Sequence, residues 1–326
     1  MSSILVTGGT GYIGGKLAEY YNQKGVHVRL LVQDETRLSD GLKEKCEIVR
    51  GDLTRPETLI DAVGGIETIV SAAGLLGHWG VPYQRLYEVN VRGVENLIRA
   101  AFDGGVRRIV HLSAGGVTGP AGLDPVDENF PPAPRTEYER TKWEGEKRAL
   151  ELAQNDNLNL LVVRPTFTYG PGDPHKLSLF LSVKKGHFAY IGNPLSTFHP
   201  VYIDDLVSGI DLAVKSDLNK TTVIIGGPRP VTKRELITGI ANALGVRKPE
   251  LRIPTPLADV IAQGFEFAAR IFNFKPPLTR SRVLALSGNW GYSIKRAREK
   301  LGYEPSIDLQ EGLQRTVSWY REHGWL

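Results

Sequence analysis

The sequence predicts an α/β fold, a doubly wound parallel sheet followed by a smaller C-terminal α/β lobe, and three observations carry that expectation. The chain opens "ILVTGGTGYIGGKLAEYY", an apolar run, a burst of glycine and an amphipathic stretch. Up to about residue 170, short apolar runs alternate with stretches of helical periodicity, the pattern of parallel βαβ units joined by right-handed crossovers. Beyond that point Gly and Pro become frequent, the apolar runs shorten and the helical stretches are amphipathic. Such text suits a lobe lying over the C-terminal strand ends, where sheets of this kind bind ligands.

The elements follow in order. Ile4, Leu5 and Val6 read as a buried strand, and Leu17, Ala18 and Tyr21 recur at helical spacing from Gly14 onward, so Gly8, Gly11 and Gly14 fall on the strand-to-helix turn. "VHVRLLV", "CEIVRGDL", "IETIVSAAG", "VRRIVHLSAGG" and "LNLLVVRP" supply five more strands, with helices over 56–63, 83–104 and 138–153. Residues 1–170 thus read as a dinucleotide-binding domain and 171–326 as mainly a substrate lobe that returns a strand or helix to the sheet. No repeat or low-complexity linker separates them.

Composition removes several alternatives. The 326 residues carry 40 Lys and Arg against 36 Asp and Glu, a formal net charge of +4. The cations are scattered, with no basic run flanked by stacking aromatics, which argues against nucleic acid as a partner. The single cysteine, Cys46, excludes an intramolecular disulfide framework and a multi-cysteine zinc site, and no metal site is expected. No secretory signal is visible, and no window reaches the roughly 20 uncharged apolar residues of a membrane span. A cytoplasmic protein is expected.

The glycine turn has a physical reading. Gly8 takes a backbone shape closed to other residues, Gly11 lets the main chain approach a pyrophosphate at the helix N-terminus, and Gly14 lets helix and strand pack closely. At the end of the second strand the usual ribose-binding carboxylate position holds Val32, and neutral Gln33 follows. Asp34 remains within reach of a ribose, Arg29 or Arg37 of a 2'-phosphate, and the reading leans to NADP over NAD because no carboxylate stands where it would repel the extra charge. Asp52 and Leu53 in "RGDL" suit the adenine, while Ala72, Ala73 and Gly74 in "SAAG" are small enough for the cofactor backbone to pass.

"EYERTKWEGE" holds the chemistry. Tyr138 and Lys142 stand four apart on one helix face. A free phenol has a pKa of about 10, and a neighbouring ammonium favours its ionised form, so the pair suits acid/base work. Ser113, in "HLSAGG" at the end of the fifth strand, faces the same cleft and suits fixing a substrate oxygen.

In order, "TGGTGYIG", "GDL", "YERTK" and "VVRPTFTYGPGD" resemble the extended short-chain dehydrogenase/reductase superfamily across nearly the whole chain. The resemblance implies a Rossmann-like sheet, Ser113-Tyr138-Lys142 chemistry, and an Asn90-supported water relay behind Lys142. It further implies cofactor contacts from Thr10, Tyr12, Ile13, Pro165 and Thr166 beside those already named, with Lys142 on the nicotinamide ribose. A homodimer through 83–104 and 138–153 is implied as well. One departure stands out: the pair of hydroxyl residues common after the fifth strand is here Ser113 and Ala114. The text S-A-G-G-V is similar to dihydroflavonol reductases, which assigns the role to Ser113.

Substrate readings diverge. Nucleotide-sugar epimerases and dehydratases carry an Arg before Y-V-D-D, whereas "STFHPVYIDDL" has Phe198, His199 and Pro200 there, with no guanidinium. His199 reads as a substrate contact or a satisfied loop histidine, and Asp204 and Asp205 as caps of a helix beginning at Leu206. "KPPLTRSRVLALSGNWGYSIKRAREKLGYEP" resembles 3β-hydroxysteroid and sterol dehydrogenases, which implies a secondary hydroxyl or ketone on an apolar sterol-, polyprenoid- or flavonoid-like molecule. Within 257–274, residues Leu257, Val260, Ile261, Phe265, Ala268, Ile271 and Phe272 share one helical face, expected in the core or at a dimer contact ahead of a membrane or lipid site, or as a substrate lid. Arg280 and Arg282 follow, placed for an anionic substrate group or for the surface. The alternatives are a nucleotide-sugar epimerase or dehydratase with tightly held NAD, and a non-catalytic dinucleotide-binding assembly or sensor subunit, against which the presence of both Tyr138 and Lys142 counts.

Overall fold

The computed structural model describes residues 3–122, 124–156 and 158–326. Strands β1 (Ser3–Thr7), β2 (His27–Val32), β3 (Glu47–Arg50), β4 (Thr68–Ser71), β5 (Arg108–Leu112) and β6 (Leu160–Pro165) alternate with helices α1 (Tyr12–Gln23), α2 (Asp40–Lys45), α3 (Ile60–Val63), α4 (Tyr83–Tyr87), α5 (Gly93–Asp103) and α6 (Glu137–Asn155). The six strands lie parallel in the spatial order β6-β5-β4-β1-β2-β3. A seventh, β11 (Thr221–Ile225), pairs parallel with the outer edge of β6. The sheet is Rossmann-like, with its change of winding between β1 and β4, the position where such sheets open a crevice for ligands. Continuous β-branched and Leu runs make this register possible, because a parallel sheet covered on both faces buries every strand residue. β1, β4 and β5 are buried throughout.

Two apolar layers flank the sheet. Leu17 and Tyr21 of α1 meet Val6 and Leu30 on one face, joined by Leu206 and Ile210 of α8 (Ile203–Lys215). On the other face Leu97 and Ile98 of α5 and Ala149 and Leu152 of α6 cover Leu5, Ile69 and Leu160. A helix from the second half of the chain therefore completes the first layer.

Beyond β6 the elements are short. β7 (Phe167–Tyr169) pairs with β10 (Pro200–Tyr202), β8 (Tyr190–Ile191) with β13 (Arg252–Ile253), and β9 (Thr197–Phe198) with β12 (Val231–Thr232). Around them lie α7 (Leu177–Lys184), α9 (Lys233–Leu244), α10 (Thr255–Phe272), α11 (Arg280–Ser287), α12 (Lys295–Leu301) and α13 (Leu309–Glu322). Among the described residues no helix is long and apolar enough to cross a membrane.

Two local readings need correction. The stretch expected as one helix over 83–104 is broken by a π turn at Glu88–Arg92. Helix α8 begins at Ile203, so Asp204 and Asp205 lie inside its first turn and do not cap it. Asp205 instead accepts from the Ser306 N–H at 2.9 Å and the Ile307 N–H at 3.1 Å, fastening the C-terminal segment to α8.

Candidate active site

The glycine turn is wedged shut by backbone. Gly8 has φ of 74°, in the left-handed region, and a Cβ there would lie 2.8 Å from Ala73 Cα. A Cβ on Gly14 would lie 2.3 Å from the Gly8 carbonyl oxygen, so β1 and α1 meet at a distance that no other residue allows. Gly11 is exposed and opens α1 with neither a capping side chain nor an acid in the first turn. The partial positive charge of that helix end is left for an anion. Thr10 and Ile13 flank it half-buried. The Tyr12 hydroxyl leaves the turn altogether: a Cβ on Gly170 would lie 2.8 Å from it, and burial raises its pKa.

At the ends of β2 and β3, Gln33 is exposed. Burial pushes the Asp52 carboxyl up, but the Thr54 N–H and hydroxyl, each at 2.8 Å, and the Gln33 amide outweigh it and hold the pKa below its usual value. The Leu53 side chain is buried against Gly93, and its carbonyl accepts from Asn96 at 2.8 Å. Asp34 does not swing free: its Oδ1 accepts from the Thr36 hydroxyl at 2.7 Å and the Thr36 N–H at 3.0 Å, which lowers its pKa. Arg29 is likewise committed, donating to the Gly64 carbonyl at 2.7 Å and pairing with Glu47 at 2.9 Å, so it reaches no phosphate. Arg37 and Arg50 are exposed and close enough to Asp34 for their charges to be felt there.

On the other side of Gly8, "SAAG" joins the turn to the chemistry. Ala72 is half-buried, and the Ala73 N–H donates to Thr7 Oγ1 at 3.0 Å. A Cβ on Gly74 would lie 3.3 Å from Asn90 Oδ1 and 3.7 Å from Lys142 Nζ. Asn90 sits in the π turn, a distortion that often marks functional positions. Its Nδ2 donates to the Leu75 carbonyl at 3.0 Å and to Thr141 Oγ1 at 3.1 Å, and its Oδ1 accepts from the Leu75 N–H at 2.8 Å. Asn90 therefore ties the loop after β4 to α6. A Cβ on Gly145 would lie 2.1 Å from the Asn90 carbonyl oxygen, so α6 presses directly on that turn.

Helix α6 starts at a capping box in which Thr136 and Glu139 satisfy each other's backbone. It carries Tyr138 and Lys142 one turn apart. Lys142 is buried, donates to the Leu112 carbonyl at 2.7 Å, and has its pKa lowered to about 8 by burial, Glu146 opposing. Tyr138 differs from the sequence expectation. Burial raises its pKa to about 12 and the Glu139 charge adds to this, while the Lys142 ammonium is spent on a carbonyl. Ser113 ends β5, buried, its Oγ without a partner among the described residues. Thr166, beyond Pro165 at the end of β6, has an equally orphaned buried Oγ1. A cleft of about 1100 Å³ opens over Tyr138, between the loop at Gly77 and Trp79 and helices α10 and α11.

Sequence reasoning missed the layer beneath. His111 is buried, its Nδ1 3.1 Å from Ser71 Oγ, with a pKa held well down by burial and the Lys142 charge. Glu146 and Arg164 form a buried pair joined by Thr222 of the seventh strand. His199 is the satisfied alternative: its Nε2 lies 2.8 Å from the Gly227 carbonyl and its ring stacks on Tyr292. Arg280 pairs with Asp259 at 3.1 Å and Arg282 donates to the Pro277 carbonyl at 3.0 Å, both on the cleft wall. Among the described residues no His, Cys, Asp or Glu cluster is arranged for a metal ion.

The glycine cradle, the uncapped end of α1 and the two orphaned hydroxyls fit a dinucleotide laid from β2 across β1 and β4 toward β5 and β6. Residues 4–226 match the NAD dependent epimerase/dehydratase family. The chain is 32% identical over 351 residues to short-chain dehydrogenase/reductase family 42E member 1 of Mus musculus, covering 99% of this chain and 88% of that protein. It is 30% identical over 339 residues to a 3 beta-hydroxysteroid dehydrogenase/Delta 5-->4-isomerase of Mycobacterium tuberculosis, covering 98% and 90%. A solved structure of a dTDP-glucose 4,6-dehydratase from Streptomyces venezuelae, with NAD bound, superposes with a TM-score of 0.81 at 24% identity over 99% of this chain and 98% of that one.

Proposed function

Because the chain belongs to the NAD dependent epimerase/dehydratase family, an extended short-chain oxidoreductase family of NAD(P)-dependent enzymes, we propose that it interconverts a secondary hydroxyl and a ketone on a largely apolar small molecule. The observation that carries this reading is the buried Ser113 hydroxyl left without a partner at the end of β5, beside the helix that bears Tyr138. Phe198 stands where a diphosphate-binding Arg is expected for a sugar nucleotide, and its ring packs at 5.4 Å on Phe167. The names of the mouse and mycobacterial relatives point the same way.

In this proposal residues 1–170 mainly hold the cofactor and 171–326 mainly shape the substrate side. Gly8, Gly11 and Gly14, with Thr10, Tyr12 and Ile13 at the head of α1, bind the pyrophosphate. Gln33, Asp52 and Leu53 meet the adenosine, while Ala72, Ala73 and Gly74 line the path to the nicotinamide, which Pro165 and Thr166 flank. A nicotinamide held by these residues would supply hydride transfer to or from the substrate carbon. Ser113 and Tyr138 hold the substrate oxygen, and Tyr138 moves its proton. With a pKa raised to about 12 by burial, the resting phenol is protonated at neutral pH and carries the proton that the substrate oxygen receives when the reaction runs as a reduction. Lys142 holds the nicotinamide ribose, and Asn90 fixes the loop through which a proton relay to solvent passes. Arg37 and Arg50, with Asp34 committed to Thr36, support a preference for NADP. A homodimer through the outer faces of α4–α5 and α6 completes the reading.

The test is direct. The purified protein is denatured, its supernatant assayed for dinucleotide, and the stripped protein titrated with NADPH and NADH by fluorescence. An empty site that binds reduced cofactor reversibly, NADPH more tightly, and then turns over apolar ketones is expected. Near-stoichiometric trapped NAD would overturn it in favour of an epimerase or dehydratase.

A further inference from the structure

Helix α10 is turned inside out. Its buried contacts are alanines, Ala258, Ala262 and Ala269, set against Ile191 and Val283. The apolar face recognised in the sequence points to solvent: Leu257 is 52% exposed, Val260 64%, Ile271 59% and Phe272 74%. Phe267, at 68%, extends the same arc. Among the described residues, eight of the thirteen exposed large hydrophobic side chains fall between 257 and 274. Of the placements open to this face, the core is thereby corrected, while a dimer contact, a substrate lid and a lipid site stay open. A contiguous apolar surface of this kind marks a site that is covered in use.

The charge around it narrows what covers it. Residues 247–282 carry seven Lys and Arg against three Asp and Glu, so this one segment accounts for the whole formal charge of +4. Arg247, Lys248, Arg252, Arg270 and Lys275 are all exposed, whereas Asp259 pairs with Arg280 and Glu266 accepts from the Arg280 N–H at 2.8 Å. An isologous contact with a second copy would set two such cationic segments against each other. An apolar helical arc flanked along the chain by exposed cations suits the boundary between anionic headgroups and acyl chains.

We propose that α10 seats the protein on the surface of an anionic bilayer, its Leu257–Phe272 arc in the acyl boundary and the flanking cations among the headgroups. Thr255, Asp259 and Glu266, on the side of the same helix away from the arc, wall the cleft over Tyr138, so α10 stands between the bilayer and the cleft.

The full chain is sedimented with vesicles of phosphatidylcholine and phosphatidylglycerol and, separately, of phosphatidylcholine alone, with no substrate or cofactor present. Capture by the anionic vesicles, reversed by salt, is expected. The double variant Phe267→Asp/Ile271→Asp is expected to lower partitioning by about tenfold or more, with its melting temperature unchanged because both side chains are already exposed. The variant Lys248→Glu/Lys275→Glu, which leaves the apolar arc intact, is expected to weaken capture as well. Absence of capture, equal capture by neutral vesicles, or capture indifferent to both variants overturns the proposal. A dimer in light scattering that the Asp variant dissociates also overturns it, in favour of a second copy. Catalysis enters none of these readouts, so failure here is distinct from failure of the functional reading.

Discussion

The two sides of the cleft are built by different means. On the cofactor side backbone presses on backbone: Gly14 on the Gly8 carbonyl, Gly8 on Ala73, Gly145 on the Asn90 carbonyl. On the substrate side one such contact recurs, Gly227 on the Pro200 carbonyl, but elsewhere side chains meet across short strands, and α10 rests on three alanines. A dinucleotide offers the same phosphates and riboses to every enzyme that binds it, and main-chain geometry can be matched to it once. A substrate differs from one enzyme to the next, and side chains can be exchanged without disturbing the sheet. The comparison teaches that rigidity is concentrated where the ligand is invariant.

Four perturbations break or sharpen this contrast. Tyr138→Phe removes the proton and little else, so turnover should fall roughly a thousandfold, about 4 kcal/mol of transition-state stabilisation, with cofactor affinity nearly unchanged; steady-state kinetics and fluorescence titration read the two separately. Gly14→Ala places a methyl against backbone that cannot retreat. A loss of about 3 kcal/mol in urea denaturation, with weakened NADPH binding, is expected.

On the substrate side, Lys233 is buried, its amine makes no hydrogen bond among the described residues and lies 5.8 Å from the centre of the Phe198 ring, and burial lowers its pKa to about 8. Lys233→Met should therefore stabilise the fold at pH 7, by about 1–3 kcal/mol. The sign follows from linkage: from pH 8 to about pH 9 the unfolded chain binds more protons than the native one at Lys142 and Lys233, so these two groups make native stability rise with pH, whereas nearer pH 10 the buried tyrosines, whose pKa values burial raises, act in the opposite sense. Melting temperatures from pH 7 to 10, parent against variant, check both statements, because the slope should flatten in Lys233→Met. Smallest of all, Phe267→Ser on the outer arc of α10 should change unfolding free energy by no more than about 0.5 kcal/mol. A loss of 2 kcal/mol there would mean that the arc is packed in solution, and the contrast between the two sides would narrow.

The legibility of the chain follows the same division. Gly8, Gly11 and Gly14 were readable because a close approach permits one residue type, and Tyr138 with Lys142 because helical spacing sets their relation. The π turn at Glu88–Arg92 was not, since an extra residue in a helix leaves the apolar pattern of "YQRLYEVNVRGVENL" nearly intact. Arg29 and Asp34 misled for another reason: their commitments, to the end of α3 and to Thr36, depend on loop geometry that carries no periodic signal. The outward face of α10 was visible as a stripe but not as a surface, because periodicity gives a face and not the side on which its partner stands.

The strand Thr221–Ile225 carries a consequence for how the molecule comes to exist. It is made more than fifty residues after β6, yet it covers that strand's outer edge, and Thr222 reaches the buried Glu146 of α6. During synthesis the nascent N-terminal half emerges with β6 as an open hydrogen-bonding edge, a template for pairing with a neighbouring chain. A polypeptide ending at residue 170 would keep that edge permanently, and self-association is its expected fate even though every glycine, Tyr138 and Lys142 are present.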